Sequence, residues 1–196
     1  VVLQPNYRGS TGYGDDWYAE NGFKSWKTSI GDISDAGRWM VAQGMADPAK
    51  LAIVGWSYGG YAALQVNALD PDLFKAVVAV APVTDLALLK VQSAAFSNSE
   101  LVNDFIGSGA HVEEGSPTQN VEKFKAPVLM FHGELDLNVD IAQARKMDKA
   151  LRGAKKNSQL VVYPKLEHSL VDGAVRADML RKSDEFLRAA LKLPAQ

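Results

Sequence analysis

At residues 51–60, LAIVGWSYGG, an apolar run meets a helical stretch with almost nothing between them. LAIVG suits a strand buried on both faces of a parallel sheet, and the Ala- and Leu-containing stretch 58–69 reads as helix. A chain that passes from strand to helix over so few residues must turn sharply, and the residue at the apex then projects above the sheet. Bulky side chains two positions to either side of that apex would collide, and the residues flanking Ser57 in this way are Gly55 and Gly59. Gly60 lets the helix pack closely on the sheet. Taken alone the pattern is weak: with Gly and Ser each near ~7% of residues, a chain this long contains G-x-S-x-G by chance roughly once in fifteen cases. Its placement at a strand-to-helix junction is what constrains the fold, because there a serine is exposed as a nucleophile. The helix N-terminus beneath it favours negative charge developing on a bound carbonyl oxygen.

The remainder of the chain repeats the alternation of strand and helix. Short apolar runs at 1–4, 76–81, 127–132 and 159–163 read as further strands. Helical periodicity covers 29–43, with Ile30, Ile33, Trp39 and Met40 on one stripe, then 139–151, and finally 172–192, with Val175, Met179, Phe186 and Leu187 inward. Five strands with crossing helices predict one α/β domain with a mostly parallel sheet. A Gly- and aromatic-rich loop at 6–27 is too long to be a simple connector, and its aromatic residues suit core, substrate surface or subunit contact equally. The irregular stretch 90–125 suits a cap or pocket wall. Hydrophobic residues make up 47% of the 196, which is globular composition. The 21 Lys and Arg against 23 Asp and Glu give no electrostatic reason to expect nucleic acid. No stretch approaches the ~20 apolar residues that cross a bilayer, so no membrane span is expected. With no cysteine, thiol catalysis and Cys-ligated zinc are excluded, while the compartment stays open between cytoplasm and periplasm.

A serine needs a base to be a nucleophile, and the base needs a third group to hold it. Of three histidines, His111 sits beside Glu113 and Glu114 in the irregular stretch and reads as a solvated loop residue. His132 ends the fourth apolar run and is expected to bury its ring in local hydrogen bonds. His168, in the loop EHSL after the fifth run, is the choice, because ligands gather at the carboxyl ends of parallel strands. The acid belongs in HGELDLNV, which offers Glu134, Asp136 and Asp140. Glu134 lies close to the strand and Asp140 is expected within the helix, which leaves Asp136. The chain order Ser57, Asp136, His168 is that of α/β-hydrolases. In this arrangement His168 takes and returns the serine proton, Asp136 holds the imidazole, and the Tyr58 N–H donates to the oxyanion.

PNYRGSTGYG at 5–14, DPAKLAIVGWSYGGYAAL at 47–64, APVTDL at 81–86, GSPTQNVEKFKAPVL at 115–129, HGELDLNV at 132–139 and EHSL at 167–170 carry a family likeness. Together they resemble the catalytic domain of the prolyl oligopeptidase family of serine peptidases, which includes dipeptidyl and acylaminoacyl peptidases. The resemblance runs nearly end to end. It implies an α/β-hydrolase fold, with a mostly parallel sheet flanked by helices, over residues 1–196 as one partial domain. It puts the triad on Ser57, Asp136 and His168. It also implies that Asn138 binds a substrate carbonyl, and that Tyr58, Val83 and Val139 wall the pocket before the scissile bond. Where proline-preferring relatives narrow that pocket with aromatic residues, Leu86 and Leu89 stand here, implying a roomier aliphatic site. Substrates would be short peptides; no cofactor is implied, since the triad needs no metal, and a homo-oligomer is left open.

The family carries further upstream segments: a β-propeller, the first strands, and an HGG-type loop that gives the second oxyanion donor. This sequence starts after them, so it is expected to be part of a longer polypeptide. Two other readings share the motifs: a carboxylesterase-type hydrolase, and a truncated hydrolase-like module without chemistry. Losing one oxyanion donor costs about 3–4 kcal/mol of transition-state stabilisation. The expectation is therefore that these 196 residues alone hydrolyse peptides weakly or not at all. Full peptidase turnover by the purified chain would contradict it.

Overall fold

The computed structural model describes residues 1–19 and 22–194. Four strands form one sheet: β1 (Ala52–Trp56), β2 (Ala76–Val80), β3 (Val128–Gly133) and β4 (Ser158–Tyr163). Their spatial order follows the chain order and every pairing is parallel. Gly55 lies opposite Ala79, Ala79 opposite Met130, and Met130 opposite Leu160. All four strands therefore end on one side of the molecule.

Helices cover both faces, as a parallel sheet requires. A short helix α1 (Asp15–Ala19) precedes α2 (Trp26–Ala42), which packs on α3 (Tyr58–Leu69). Alternate residues of the strands divide between two cores. Val77, Ala79, Val128 and Met130 pack with Ala63 and Leu64 of α3 and with Met147 and Leu151 of α7 (Ala142–Gly153). Val78, Val80, Leu129 and Phe131 face Met179 and Phe186 of α8 (Gly173–Leu191). Val175 and Leu187 pack against that second core, so the inward set expected for the last helix is present.

Departures from the sequence-based expectations have physical reasons. Residues 1–4 form no strand; Val1 and Val2 are 94% exposed, and no strand pairs with them among the described residues. The sheet thus has four strands rather than five. Val54, expected to be buried on both faces, is 61% exposed. It belongs to an edge strand, and it shares its face with Val78, beyond the reach of α8. Trp39 also lies outward, because Ile30, Ile33, Gly37 and Met40 define the buried stripe of α2 and Trp39 sits about 100° from Met40. Asp140 lies before α7, not within it, and its Oδ1 accepts the Ala142 N–H at 2.7 Å.

The irregular stretch folds as α4 (Leu86–Ser93), α5 (Ser99–Ile106), α6 (His111–Glu114) and a 3-10 segment (Pro117–Lys123). Asp85 caps α4 by accepting from Leu88 N–H at 2.9 Å, and Lys146 of α7 pairs with its other oxygen at 2.5 Å. Buried Gln143 of α7 accepts from the Thr84 and Asp85 N–H groups at 2.9 and 2.8 Å. It donates to Asp85 O at 3.1 Å and to Gln92 Oε1 at 2.9 Å. These bonds join the segment after β2 to the helix after β3. His111 is not loosely solvated: its Nε2 lies 2.7 Å from Ile106 O. Among the described residues, no helix is long and apolar enough to cross a membrane.

Phe131 is fully buried in β3 and stacks on Tyr163 with ring centroids 6.1 Å apart. Phe131→Ala leaves a cavity at the centre of the sheet and is expected to destabilise the fold by about 3–5 kcal/mol. Urea unfolding should show this as a lower midpoint with an unchanged slope.

Candidate active site

Ser57 stands between β1 and α3 with φ 56° and ψ −117°, a backbone conformation that L-residues rarely hold. Two hydrogen bonds fix it: Ser57 N–H to Val80 O at 2.8 Å, and Tyr61 N–H to Ser57 O at 2.9 Å. Gly55 has the closest constraint. A Cβ there would lie 2.0 Å from the Gly59 carbonyl oxygen, so the turn closes only when residue 55 has no side chain. Tyr58 is the first residue of α3, and its N–H is one of the first-turn amides that have no partner within the helix.

Two loops at the same ends of the sheet bring Asp136 and His168 together. Asp136 follows β3, and its side chain is completely buried. Its Oδ1 accepts from the N–H groups of Asn138 at 2.9 Å and Val139 at 2.8 Å. Its Oδ2 lies 2.7 Å from His168 Nδ1 and 3.2 Å from Nε2 of buried His132. Burial pushes the carboxyl pKa up, but His132, His168 and the Val139 N–H outweigh it and hold the group well below the usual carboxylate range. With Nδ1 bonded to the carboxylate, the second nitrogen of His168 is left for a reacting group.

The His168 loop is itself tied down. Its backbone carbonyl accepts from the Trp56 indole N–H at 3.2 Å, linking it to the residue just before Ser57. Leu135 N–H donates to Leu166 O at 2.8 Å. Gly133 permits this approach, since a Cβ at that position would meet Leu166 O at 2.5 Å. The Arg176 guanidinium holds the carbonyls of Ser169 and Leu170 at 3.0 and 3.1 Å.

Ser57, Tyr58, Val83, Asp136, Asn138 and Val139 line a common cavity of about 900 Å³. Of the two leucines singled out in the sequence, Leu89 lines it, whereas Leu86 is fully buried in the core and does not. The stretch expected to serve as a pocket wall does line the cavity, through Phe96 between α4 and α5 and through Leu101 and Phe105 of α5, residues that sequence reasoning did not single out. The aromatic residues of the long N-terminal loop also find a place here. Phe23 packs on Tyr58 at 5.0 Å, Tyr7 stacks on it at 6.1 Å, and Phe105 meets Phe23 edge-on at 5.3 Å. Burial in this cluster pushes the Tyr58 hydroxyl pKa far up, which leaves Tyr58 as pocket wall rather than acid or base. Asn138 is exposed at the cavity rim. Glu134 is exposed too, 3.9 Å from Arg145. No three His, Asp or Glu side chains gather as a metal site among the described residues.

The Asp136 carboxyl titrates lower when folded than its unfolded value of ~3.9. Its pairing therefore contributes stability that is fully present above that value and lost as pH falls through the folded pKa. Asp136→Asn is expected to lower stability at neutral pH and to flatten the fall in stability on acidification. Urea unfolding at a series of acid pH values checks this, and equal slopes for the two proteins would contradict it.

Known proteins resemble this chain in sequence and in fold. The model of the prolyl oligopeptidase family matches residues 1–194. The human acylamino-acid-releasing enzyme is 27% identical over 97% of this chain and 27% of its own length. Dipeptidyl aminopeptidase BIII of Pseudoxanthomonas mexicana is 30% identical over 86% of this chain and 26% of its own. The chain thus spans about a quarter of these relatives. Among solved structures, a puromycin-hydrolyzing peptidase of Mycobacterium tuberculosis superposes with a TM-score of 0.89 at 27% identity, covering 96% of this chain and 29% of that one. The Pyrococcus horikoshii acylaminoacyl peptidase shares the fold, with a TM-score of 0.84 at 23% identity over 97% of this chain and 32% of that one. With the family model matched from residue 1 to residue 194, the chain belongs to the prolyl oligopeptidase family.

Proposed function

We propose that this chain carries the chemical centre of a serine peptidase that cleaves short peptides through an acyl-enzyme intermediate. The observation that carries the reading is the 2.7 Å contact between His168 Nδ1 and Asp136 Oδ2, in two loops at the strand ends where Ser57 occupies its turn. In the proposed reaction, Ser57 Oγ attacks the scissile carbonyl carbon while its proton passes to His168 Nε2. The carbonyl oxygen becomes an oxyanion and accepts from the Tyr58 N–H. Collapse of the tetrahedral intermediate breaks the C–N bond, and the leaving amine takes the proton from His168. Water then attacks the acyl-serine by the same route, releasing the acid and restoring Ser57. Asp136 keeps its proton off and stabilises the imidazolium throughout, as its hydrogen-bonded and ionised carboxylate suits it to do.

The apolar cavity wall of Tyr58, Val83, Leu89 and Val139 would take the side chain before the cleaved bond, and Asn138 would hold a substrate carbonyl. At about 900 Å³ the cavity is at the large end of the usual ligand-site range. This supports a bulky apolar residue there rather than a strict fit to proline.

A fluorophosphonate probe reports on the assembled centre without demanding full turnover. A stoichiometric adduct on Ser57, absent in Ser57→Ala and formed about 10⁴ times more slowly in Asp136→Asn, is the expected result. The absence of an adduct on the folded chain would overturn the reading and favour a module without chemistry. Turnover of p-nitrophenyl esters but not of peptide anilides by the labelled-competent chain would favour the esterase alternative.

A further inference from the structure

His132 is a buried imidazole for which the reaction above has no use. It is completely excluded from solvent at the end of β3, yet its Nε2 sits at a junction. The Val139 carbonyl oxygen lies 2.7 Å from that nitrogen, and Asp136 Oδ2 lies 3.2 Å from it. A carbonyl can only accept, so Nε2 carries the proton. His132 Nδ1 has no hydrogen-bond partner, which costs less for a bare lone pair than for a stranded N–H. His132 therefore presents Nε2–H toward Asp136, while His168 presents Nδ1–H to the same oxygen.

The Val139 peptide closes the circuit. Its N–H donates to Asp136 Oδ1 at 2.8 Å, and its carbonyl accepts from His132. One imidazole thus grips the turn that feeds Oδ1 and borders Oδ2 directly. With both edges of the carboxylate occupied, rotation about its Cβ–Cγ bond would break contacts on each side at once. We propose that His132 is a positioning residue, which locks the 136–139 turn and keeps Asp136 Oδ2 aimed at His168. This inference rests on the reading of Asp136 and His168 as catalytic partners.

Three variants of the full chain separate positioning from bulk packing. The amide nitrogen of a glutamine can reach where Nε2 stands, an asparagine amide stops about one bond short, and a phenylalanine keeps the ring but has no donor. The second-order rate of fluorophosphonate labelling at Ser57 should fall on the order of 10–100-fold in His132→Phe and His132→Asn, by analogy with loss of other outer partners of reactive groups. His132→Gln should restore it to within a few-fold. In an Asp136→Asn background, His132→Phe or His132→Asn should cost little more, because the effect passes through Asp136. Proton NMR of the 15N-histidine-labelled chain should show a downfield His168 Nδ1–H resonance that is retained in His132→Gln and lost or shifted in the other two. Wild-type labelling rates in folded His132→Asn, or equal losses with and without Asp136, would overturn the proposal. If the wild-type chain does not label at all, the peptidase reading fails by itself. The NMR comparison then decides the positioning role: an unshifted His168 proton in His132→Asn refutes it.

Discussion

A carboxylate without solvent must find its hydrogen bonds in the protein, and much of the site follows from meeting that demand at Asp136. Two backbone amides supply one oxygen, which forces residues 136–139 into a tight turn. Two imidazoles face the other, which draws the loop after β4 against the end of β3. Gly133 makes that approach sterically feasible. The charge is kept because its partners are numerous and directional, and the same directionality sets the orientation of His168.

The sheet delivers these pieces to one place because all its strands run the same way. Each strand end opens a loop on the same side, so residues 57, 83, 136 and 168, far apart in the chain, share one edge of the molecule. Cross-links then make this edge a unit. Gln143 and Lys146 bind the segment after β2 to α7, and the Trp56 indole binds the elbow to the His168 loop. The pocket wall of α4 hangs from Asp85, the residue that caps it and that Lys146 holds. The segment after β2 is thus tied to the helix after β3, and the end of β1 to the loop after β4.

Interior features were the most legible in the sequence. The runs at 76–81 and 127–132 are apolar because helices cover both faces of these inner strands, and α3 begins where the Gly pattern requires it. Asp136 and His168 could be chosen from chain order and strand ends, and the structure brings them into contact. What depended on neighbours was not legible. Apolar character at residues 1–4 and at Val54 could not disclose that no strand lies alongside to pair with the first or to bury the second among the described residues. Asp140 could be rejected from the sequence only by a helix boundary that lies three residues later than expected, whereas its carboxylate in fact caps the turn into α7. The contact of His132 with Asp136 is four residues away in the chain, yet it needs a strand end followed by a reversal to form. No periodicity signals it.

The twisted backbone at Ser57 sets the proposed reactivity against durability. A residue held at φ 56° and ψ −117° costs on the order of 1–3 kcal/mol, which the surrounding hydrogen bonds must sustain. Glycine would occupy the same turn with much of that penalty removed. Directed evolution of this chain for heat resistance alone would therefore reward the loss of its hydroxyl, the group on which the proposed reaction depends. Any thermostabilising campaign has to retain chemistry as a second criterion, or hold position 57 outside the library.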